Sequence, residues 1–272
     1  MKKKLLIGTV AFGLLLAGCG KDEAADKTVK ANGSSSGVNK TQEQAEMSDE
    51  EIAKRNAKIK ISIVDEVNYP HYDNIMDENS VYHAAIIKND SKETVDVSSI
   101  SIAYLDKNGT VVGSDDSSVW VSPSLLKPGQ KAYVMDEAGI DVPFEEYGKT
   151  EVTISPEITE ERAKNLPIEG EALSGDEDTI FLKGKVKNTS DIPTDYITVA
   201  AALYDVNDKF VGVTYGQVQD TLNPDNSKAF QTDSYNFTAH TKNDLSHYEI
   251  LAYMYKWPEG TAGEDGDGEV TN

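Results

Sequence analysis

Alternating apolar and polar residues recur along most of the chain and predict β-strands. The pattern is seen at Ile59, Ile61 and Ile63, at Ile100, Ile102 and Tyr104, and at Val199, Ala201 and Leu203. An apolar residue at every second position turns one face of a strand to the core and the other to solvent. Short stretches with this period, separated by turn residues, predict an all-β fold.

The strand pattern occurs twice, because residues 81–113 align without a gap with residues 180–212. Nine of the 33 aligned pairs are identical, and they include Lys88/Lys187, Asn89/Asn188, Ser91/Ser190, Asp106/Asp205 and Asn108/Asn207. Further along, Lys131-Ala132-Tyr133 matches Lys228-Ala229-Phe230, and residues 147–154 match residues 248–255. Such a repeat indicates duplication of one module of roughly 90–100 residues.

Turn residues within each copy predict how the strands connect. Asp106-Lys107-Asn108-Gly109 separates two apolar stretches, and Asn-Gly is the pair that a type I′ hairpin turn prefers. Asn207-Asp208 takes the same place in the second copy, and Pro128-Gly129 is placed for a type II turn. Several short strands at this spacing predict two tandem immunoglobulin-like β-sandwich domains.

The first 19 residues have the pattern of a secretory signal. Three lysines, Lys2 to Lys4, precede an apolar run from Leu5 to Leu16, which is shorter than the ~20 residues that a membrane-spanning helix needs. The run ends in Leu16-Ala17-Gly18-Cys19, which resembles the lipobox of bacterial lipoproteins. The resemblance implies that Cys19 is lipidated, becomes the first residue of the mature protein and anchors it to the outer side of a cell membrane. The lysine-rich start suits a Gram-positive bacterium.

The residues after the signal predict a polar tether. Residues 20–47 contain few large apolar residues and centre on the stretch Asn32 to Gly37, a composition typical of a flexible linker. Ser48 followed by Glu51 is the signature of a capping box and predicts a short helix that ends near Lys58. The predicted boundaries are 1–18 for the signal, 19–57 for the tether with its helix, 58–156 for the first sandwich, 157–258 for a linker and the second sandwich, and 259–272 for a disordered acidic tail.

The second copy resembles the FxLYD domain, a family found in extracytoplasmic bacterial lipoproteins and secreted proteins. The resemblance is carried by Gly184 to Ser190, Ala202-Leu203-Tyr204-Asp205, Val211-Gly212, Leu222-Asn223-Pro224 and Phe230. It covers residues 179–255 and, more weakly, residues 80–154. Ala201 stands where the family name has phenylalanine, and Asp208 stands where the family has a turn glycine. The resemblance implies a β-sandwich binding or adhesion module and brings no catalytic residues.

Charge and cysteine content narrow the classes of function. The 272 residues carry a formal charge of −21 at pH 7, so the surface repels nucleic acid and anionic lipid. Membrane attachment is therefore expected from acyl chains on Cys19 rather than from a basic patch. Because Cys19 is the only cysteine, the chain forms no internal disulfide and no cysteine-based zinc site.

Candidate chemistry is sparse. None of the four histidines, His71, His83, His240 and His247, has the spacing of a metal motif, and no Gly-x-Ser-x-Gly sequence occurs. His83 is expected inside a strand. Acidic loop clusters such as Asp115-Asp116 lack the spacing of a calcium loop and are interpreted as solvated charge. We therefore expect no catalytic residue, no metal site and no cofactor.

Aromatic residues provide the one indication of ligand binding. Tyr253, Tyr255 and Trp257 alternate on the last predicted strand, and Tyr69 and Tyr72 belong to an aromatic loop. Exposed aromatic rings stack on sugars or anchor protein partners, whereas buried ones belong to the core. Trp257, Tyr69 and Tyr72 are therefore the candidate ligand-binding residues. Tyr253 and Tyr255 are expected in the core.

The sequence thus predicts a lipid-anchored, extracytoplasmic binding or scaffold protein of the bacterial cell envelope, without enzymatic activity. Its expected partners are the membrane, through Cys19, and an envelope protein or wall polymer, but no nucleic acid. Two alternatives remain open at this point. One is a carbohydrate-binding module for a cell-wall polymer, and the other is a metal-dependent envelope accessory whose site lies between the two modules.

Overall fold

The structure, a computed structural model, describes residues 48–175, 179–233 and 240–256. The chain divides into two compact units, residues 1–46 and 47–272, and all described residues lie in the second. The predicted signal, Cys19, the tether before Ser48, Trp257 and the acidic tail lie outside the described residues. No helix among the described residues has the length and apolar character of a membrane span.

The described residues form one α-helix and 17 β-strands, which confirms the predicted all-β class. The elements are α1 (Asp49–Asn56), β1 (Ile61–Asp73), β2 (Glu78–Asn89), β3 (Val95–Asp96), β4 (Ile100–Asp106), β5 (Val111–Asp115), β6 (Trp120–Ser122), β7 (Leu125–Leu126), β8 (Lys131–Gly139), β9 (Tyr147–Ile154), β10 (Glu157–Ile158), β11 (Arg162–Asn165), β12 (Ile168–Gly175), β13 (Ile180–Lys187), β14 (Ile197–Asp205), β15 (Phe210–Val218), β16 (Ser227–Gln231) and β17 (Leu245–Lys256). Short 3₁₀ turns cover Phe144–Glu146 and Lys242–Asp244.

Helix α1 begins at the predicted capping box. The Glu51 backbone N–H donates to Ser48 Oγ at 3.4 Å, and the Ser48 backbone N–H donates to the Glu51 carboxylate at 3.1 Å. These two bonds satisfy backbone donors that the first helical turn leaves free. The Ser48 hydroxyl also donates to the Glu51 carboxylate at 2.8 Å, and this bond, with the one from the Ser48 backbone N–H, holds the pKa of Glu51 below its usual range.

The fold consists mainly of four antiparallel sheets. Sheet S1 has the strand order β5-β4-β9, S2 has β1-β2-β8-β6, S3 has β11-β17-β14-β15, and S4 has β12-β13-β16. S1 and S2 belong to the first copy of the repeat, and S3 and S4 belong to the second. The three very short strands β10, β3 and β7 form a further small sheet.

Each pair of sheets encloses an apolar core. In the first copy, Val81, Ala85 and Ile87 of S2 pack against Ile100 and Ile102 of S1. In the second copy, the core between S3 and S4 includes Val186, Ile197, Val199, Phe230 and Ala252. All of these side chains are buried, so each copy contributes two sheets that pack on an apolar core.

The two copies also pack on each other through the remaining faces of S2 and S3. Tyr82, Ala84 and Ile86 of β2 join one buried cluster with Ala200 and Val213 of the second copy. The Tyr82 hydroxyl donates to the Val213 carbonyl at 3.2 Å and accepts from the Val213 N–H at 3.0 Å. The sheets are therefore stacked in the order S1, S2, S3, S4, with apolar side chains between each neighbouring pair.

This stacking explains two strands that are buried at successive positions and are mostly apolar. Residues 80–87 of β2 and residues 197–203 of β14 are buried at every position. A strand that is covered on both faces needs apolar residues at successive positions rather than at alternate ones. Three successive alanines, Ala200 to Ala202, keep β14 thin where it lies between two layers.

Asparagine and serine residues that are identical in the two copies make the same hydrogen bonds in both. Asn89 Nδ2 donates to the carbonyls of Glu93 and Leu126 at 2.8 and 2.9 Å. Asn188 Nδ2 donates to the carbonyls of Ile192 and Leu222, both at 2.8 Å. The amides of Ser91 and Ser190 donate to the side-chain oxygens of Asn89 and Asn188. In each copy one buried asparagine therefore ties three backbone groups together.

Both hairpin turns were predicted with the wrong type. A type I′ turn needs positive φ at both Asn108 and Gly109, but only Gly109 has it, at 84°. The Gly109 amide bonds the Asp106 carbonyl, and the Asp106 carboxylate accepts from Asn108 and Thr110. This is a type I turn followed by a left-handed residue, and it occurs again with Asp208 at φ 65°.

The Pro128-Gly129 turn has Gly129 at φ 79°, as the predicted type II turn requires.

One predicted correspondence between the copies is shifted by one residue. Tyr133 lies opposite Ile86 in S2, whereas Ala229, not Phe230, lies opposite Lys185 in S4. Because a one-residue shift turns a side chain to the other face of a sheet, Phe230 points into the core while Tyr133 points to the interface between the copies.

Candidate functional site

The most exposed large apolar side chain of the described residues, Ile75, lies at the tip of the β1–β2 hairpin beside the exposed Met76. Ile75 is 92% exposed and Met76 is 66% exposed. The hairpin ladder runs from Ile61 opposite Asn89 to Asp73 opposite Glu78, so the tip lies at its closed end. We call residues 72–77 the β1–β2 tip.

Side-chain hydrogen bonds within the turn hold the β1–β2 tip in its conformation. Asp73 Oδ1 accepts from the amides of Ile75 and Met76 at 2.7 and 3.2 Å. The Tyr72 hydroxyl donates to Asp77 Oδ1, and Asp77 has a left-handed backbone with φ 59°. That hydrogen bond raises the pKa of Tyr72. The turn thus satisfies its own polar groups and directs two apolar side chains into solvent.

The corresponding turn of the second copy has a different composition. It joins β12 to β13 and contains Asp176, Glu177 and Asp178, whose structure lies outside the described residues. The repeat therefore does not require apolar residues at this turn. An apolar pair at this turn is therefore a feature of the first copy that the sequence of the second copy does not share.

Acidic side chains lie on the β1–β2 tip and on the connection between β8 and β9 near it. Asp77 and Glu78 are exposed at the turn itself. The connection between β8 and β9 adds the exposed Asp141 and Glu145 near the same end of the hairpin, because the Phe144 amide donates to Asn79 Oδ1 at 3.2 Å. An apolar centre with an acidic rim matches an apolar socket with a basic rim.

Of the three predicted ligand-binding aromatics, Tyr69 lies in the interface between the copies. Its ring stacks on Tyr82 at a centroid distance of 6.0 Å, and its hydroxyl lies 3.2 Å from His240 Nε2. Burial raises the pKa of Tyr69 to about 12. The ring faces a neighbouring ring instead of solvent, so Tyr69 offers no open stacking surface.

Tyr72 and the aromatics of β17 have different environments. Tyr72 is exposed and belongs to the β1–β2 tip, whereas Trp257 lies outside the described residues. Tyr253 is buried against Leu125, which confirms its expected place in the core. Tyr255 is half-buried beside it, and its hydroxyl accepts from the Ser124 amide at 3.1 Å.

A buried group of polar residues lies between S1 and S2. The His83 ring, which belongs to β2 as expected, bonds through Nδ1 to Asn68 Oδ1 at 2.8 Å. Because that oxygen also accepts from Thr150, the proton of the neutral ring is assigned to Nδ1. Burial lowers the pKa of His83 to about 4. His83 Nε2 has no hydrogen-bond partner among the described residues.

A second polar contact is formed opposite His83 on β8. The Tyr104 hydroxyl donates to Asp136 Oδ2 at 2.5 Å. Burial raises the pKa of Asp136 to about 6, the Tyr104 hydrogen bond opposes this rise, and the nearby Asp115 carboxylate adds to it. Both groups are enclosed by the first sandwich, so we interpret them as part of its core rather than as a catalytic pair.

The opposite pKa shifts of His83 and Asp136 predict compensating effects on stability below pH 7. The folded state binds a proton at His83 less readily than the unfolded state, so His83 destabilises the fold as pH falls from 7 to 5. Asp136 binds a proton more readily in the folded state, so it stabilises the fold over the same range. When the pH falls from 7 to 5, we expect the free energy of unfolding of Asp136→Asn to decrease by about 1 kcal/mol more than that of the natural chain.

The matched variant is His83→Gln. Its free energy of unfolding is expected to decrease by about 2 kcal/mol less than that of the natural chain over the same pH interval. Urea unfolding at pH 7 and pH 5 measures both differences, because the exposed carboxyl groups titrate alike in all three proteins. Equal pH dependence in the three proteins would show that neither group carries a shifted pKa.

His71 and His247 each have polar partners at both ring nitrogens, with the Tyr69 carbonyl 3.1 Å from His71 Nδ1 and Ser246 Oγ 3.0 Å from His247 Nδ1. His71 Nε2 lies 3.1 Å from Glu137, and His247 Nε2 lies 3.4 Å from Asp208. No three His, Cys, Asp or Glu side chains come together as a metal site in the part of the chain that the structure describes. Where S2 meets S3, the described contacts are mainly apolar. The alternative of a metal site between the copies therefore has no support from the described residues.

Sequence reasoning missed Ile75 and Met76, although a signal was present. Two successive apolar residues occur in the otherwise polar stretch Asp73 to Glu78, where a turn needs none. We compared the chain with protein-family models and with curated proteins, and neither comparison finds a match. The resemblance to the FxLYD domain and to the lipobox therefore rests on the motif residues alone.

Proposed function

We propose that the protein is a lipid-anchored, extracytoplasmic binding protein of the bacterial cell envelope, which acts without catalysis. Cys19 carries the lipid, and the β1–β2 tip docks into an envelope protein. The observation that carries this proposal is the exposure of Ile75 and Met76 on a turn that is braced by its own hydrogen bonds.

The free energy gained by burying apolar side chains favours such a tip as a contact point. Complete burial of an Ile or Met side chain contributes roughly 1.5–3 kcal/mol, and a few residues of this kind dominate most interfaces. Because Asp73 and Tyr72 already order the turn, docking loses little conformational entropy there. Strand β1 has 13 residues, so the tip at its end lies about 40 Å from Ile61 at its start. Ile61 is the end of the strand that is nearer to Cys19 in the sequence.

A protein partner suits the tip better than a lipid surface does. The acidic rim formed by Asp77, Glu78, Asp141 and Glu145 repels the anionic headgroups of bacterial membranes. The same rim attracts lysine and arginine side chains around an apolar socket. We therefore propose a partner with an apolar cleft and a basic rim.

Cysteine labelling in intact cells tests the proposal, because lipidation blocks the only natural thiol. Met76→Cys and Val206→Cys form a matched pair, with native side chains that are 66% and 67% exposed. We expect a membrane-impermeant maleimide to label Val206→Cys on intact cells and to label Met76→Cys several-fold more slowly. In the purified protein we expect the two thiols to react at similar rates.

Two results would contradict the proposal. If neither cysteine reacts on intact cells but both react after lysis, the protein does not face the outside. If both react equally fast on intact cells, the β1–β2 tip is not covered by a partner.

A further inference from the structure

The outer face of S4 is the counterpart of the face by which the first copy docks onto the second. The strand registers pair Tyr82, Ala84, Ile86, Tyr133 and Met135 of S2 with Phe181, Lys183, Lys185, Ala229 and Gln231 of S4. The S2 residues are buried against S3. In S4 the same positions face solvent, because S4 is the last layer of the stack.

This face has changed from apolar to basic between the copies. Lys183, Lys185 and Lys187 alternate along β13, so all three share the outer face of its central strand. None of them forms an ion pair with a described residue, whereas Lys88, Lys131, Lys149 and Lys228 all do. In a chain with a net charge of −21, three unpaired lysines in a row form an unusual positive stripe.

We call the outer face of S4, with Lys183, Lys185 and Lys187, the lysine face. A shallow groove runs across it. Its lining comprises Glu169, Gly170, Lys183, Gly184, Lys185, Ala229, Phe230 and Gln231. Three of these residues, Gly170, Gly184 and Ala229, have no side chain beyond Cβ, so the floor of the groove lies close to the backbone. Gly170 sits at an irregularity in the β12–β13 register with φ 62°, a conformation that favours glycine. Glu169 lies opposite Lys185 and is outnumbered by the lysines.

We propose that the lysine face binds an extended polyanion, a polymer that carries a phosphate or carboxylate group on successive units. Lys183 and Lys187 are separated by about 13 Å along the strand, which is a span of several polymer units. Lysine supplies flexible point charges that suit repeated anions better than one rigid ligand. The groove lets the polymer backbone lie between the charges. The β1–β2 tip is a separate site, so this proposal stands independently of the proposed function.

Calorimetric titration of the purified mature protein with polyphosphate and with poly-L-glutamate of matched length tests the inference. We expect at least one of the polymers to bind, and Lys183→Gln/Lys185→Gln to weaken that binding about tenfold. Lys127→Gln/Lys209→Gln removes the same charge from two exposed lysines elsewhere and is expected to change the affinity less than twofold. Binding of polyphosphate alone identifies phosphate as the anion, and binding of polyglutamate alone identifies carboxylate.

Two outcomes would overturn the inference. Equal weakening by both double variants would show that attraction to the polymer is not localised at S4. Absence of binding by either polymer at low salt would leave the lysines as a polar cap that keeps the last layer of the stack soluble.

Discussion

Asn188→Ala is expected to lower the free energy of unfolding by about 3–5 kcal/mol, one of the two largest effects that we predict. Asn188 is fully buried and donates to the carbonyls of Ile192 and Leu222 while accepting from the Ser190 amide and hydroxyl. Alanine removes four hydrogen bonds, each of which contributes about 0.5–1.5 kcal/mol, and leaves the Ser190 amide without its acceptor. Urea unfolding followed by circular dichroism measures the loss.

Asn207→Ala is the matched control, because Asn207 is exposed and its side chain makes only a long bond of 3.4 Å to Asp205. We expect this variant to lose less than about 1 kcal/mol. A loss of similar size in Asn188→Ala and Asn207→Ala would show that the asparagine of the repeat does not hold its loops together.

Tyr82→Phe is expected to lower the free energy of unfolding by about 2–4 kcal/mol. The Tyr82 hydroxyl is buried between S2 and S3 and bonds to both the N–H and the carbonyl of Val213. Phenylalanine keeps the ring packing and removes only the oxygen, so the change isolates the polar link between the two copies. Chemical denaturation at pH 7 measures the effect.

Tyr69→Phe provides the comparison, since Tyr69 stacks on Tyr82 but its hydroxyl contacts the half-buried His240. We expect a loss of about 1 kcal/mol or less. If Tyr82→Phe unfolds at the same denaturant concentration as the natural chain, the hydroxyl does not join the copies. The described packing of S2 on S3 would then be wrong at its centre.

Packing between the copies has a consequence for binding. The face of S2 that carries Tyr82 and Ile86 docks onto a different face of the second copy, so the contact is head-to-tail rather than symmetric. Such a contact leaves one unmatched face at the end of the stack, which is the lysine face of S4. The stack therefore presents two unlike surfaces, an apolar tip on the first copy and a basic groove on the second.

Periodicity in the sequence predicted the strands and the repeat because both depend on local patterns. Alternation at Ile100, Ile102 and Tyr104 reflects one buried face, and Asn188 keeps the same neighbours as Asn89 because its bonds lie within one copy. The contact between the copies was not predicted. It depends on a second covered face, whose signal was the continuous apolar run of residues 81–87 apart from His83.

The candidate site was predicted only in part. Tyr72 belongs to the exposed tip, but Tyr69, three residues earlier on β1, lies in the interface. Residue type alone does not distinguish an aromatic ring that faces a partner layer from one that faces solvent. The lysine face could not be predicted from the sequence for a further reason. It became recognisable only when the registers showed which S4 residues correspond to the docking residues of S2.

Photo-cross-linking from residue 75 in intact cells tests the central claim most directly. A photoreactive amino acid is placed at Ile75 or, as the control, at Val206, both in the chain with native Cys19. We predict a discrete protein adduct from position 75 that disappears when Met76 is changed to serine, and no such adduct from position 206. Adducts of equal yield from both positions, or none from position 75, would contradict the docking of the β1–β2 tip.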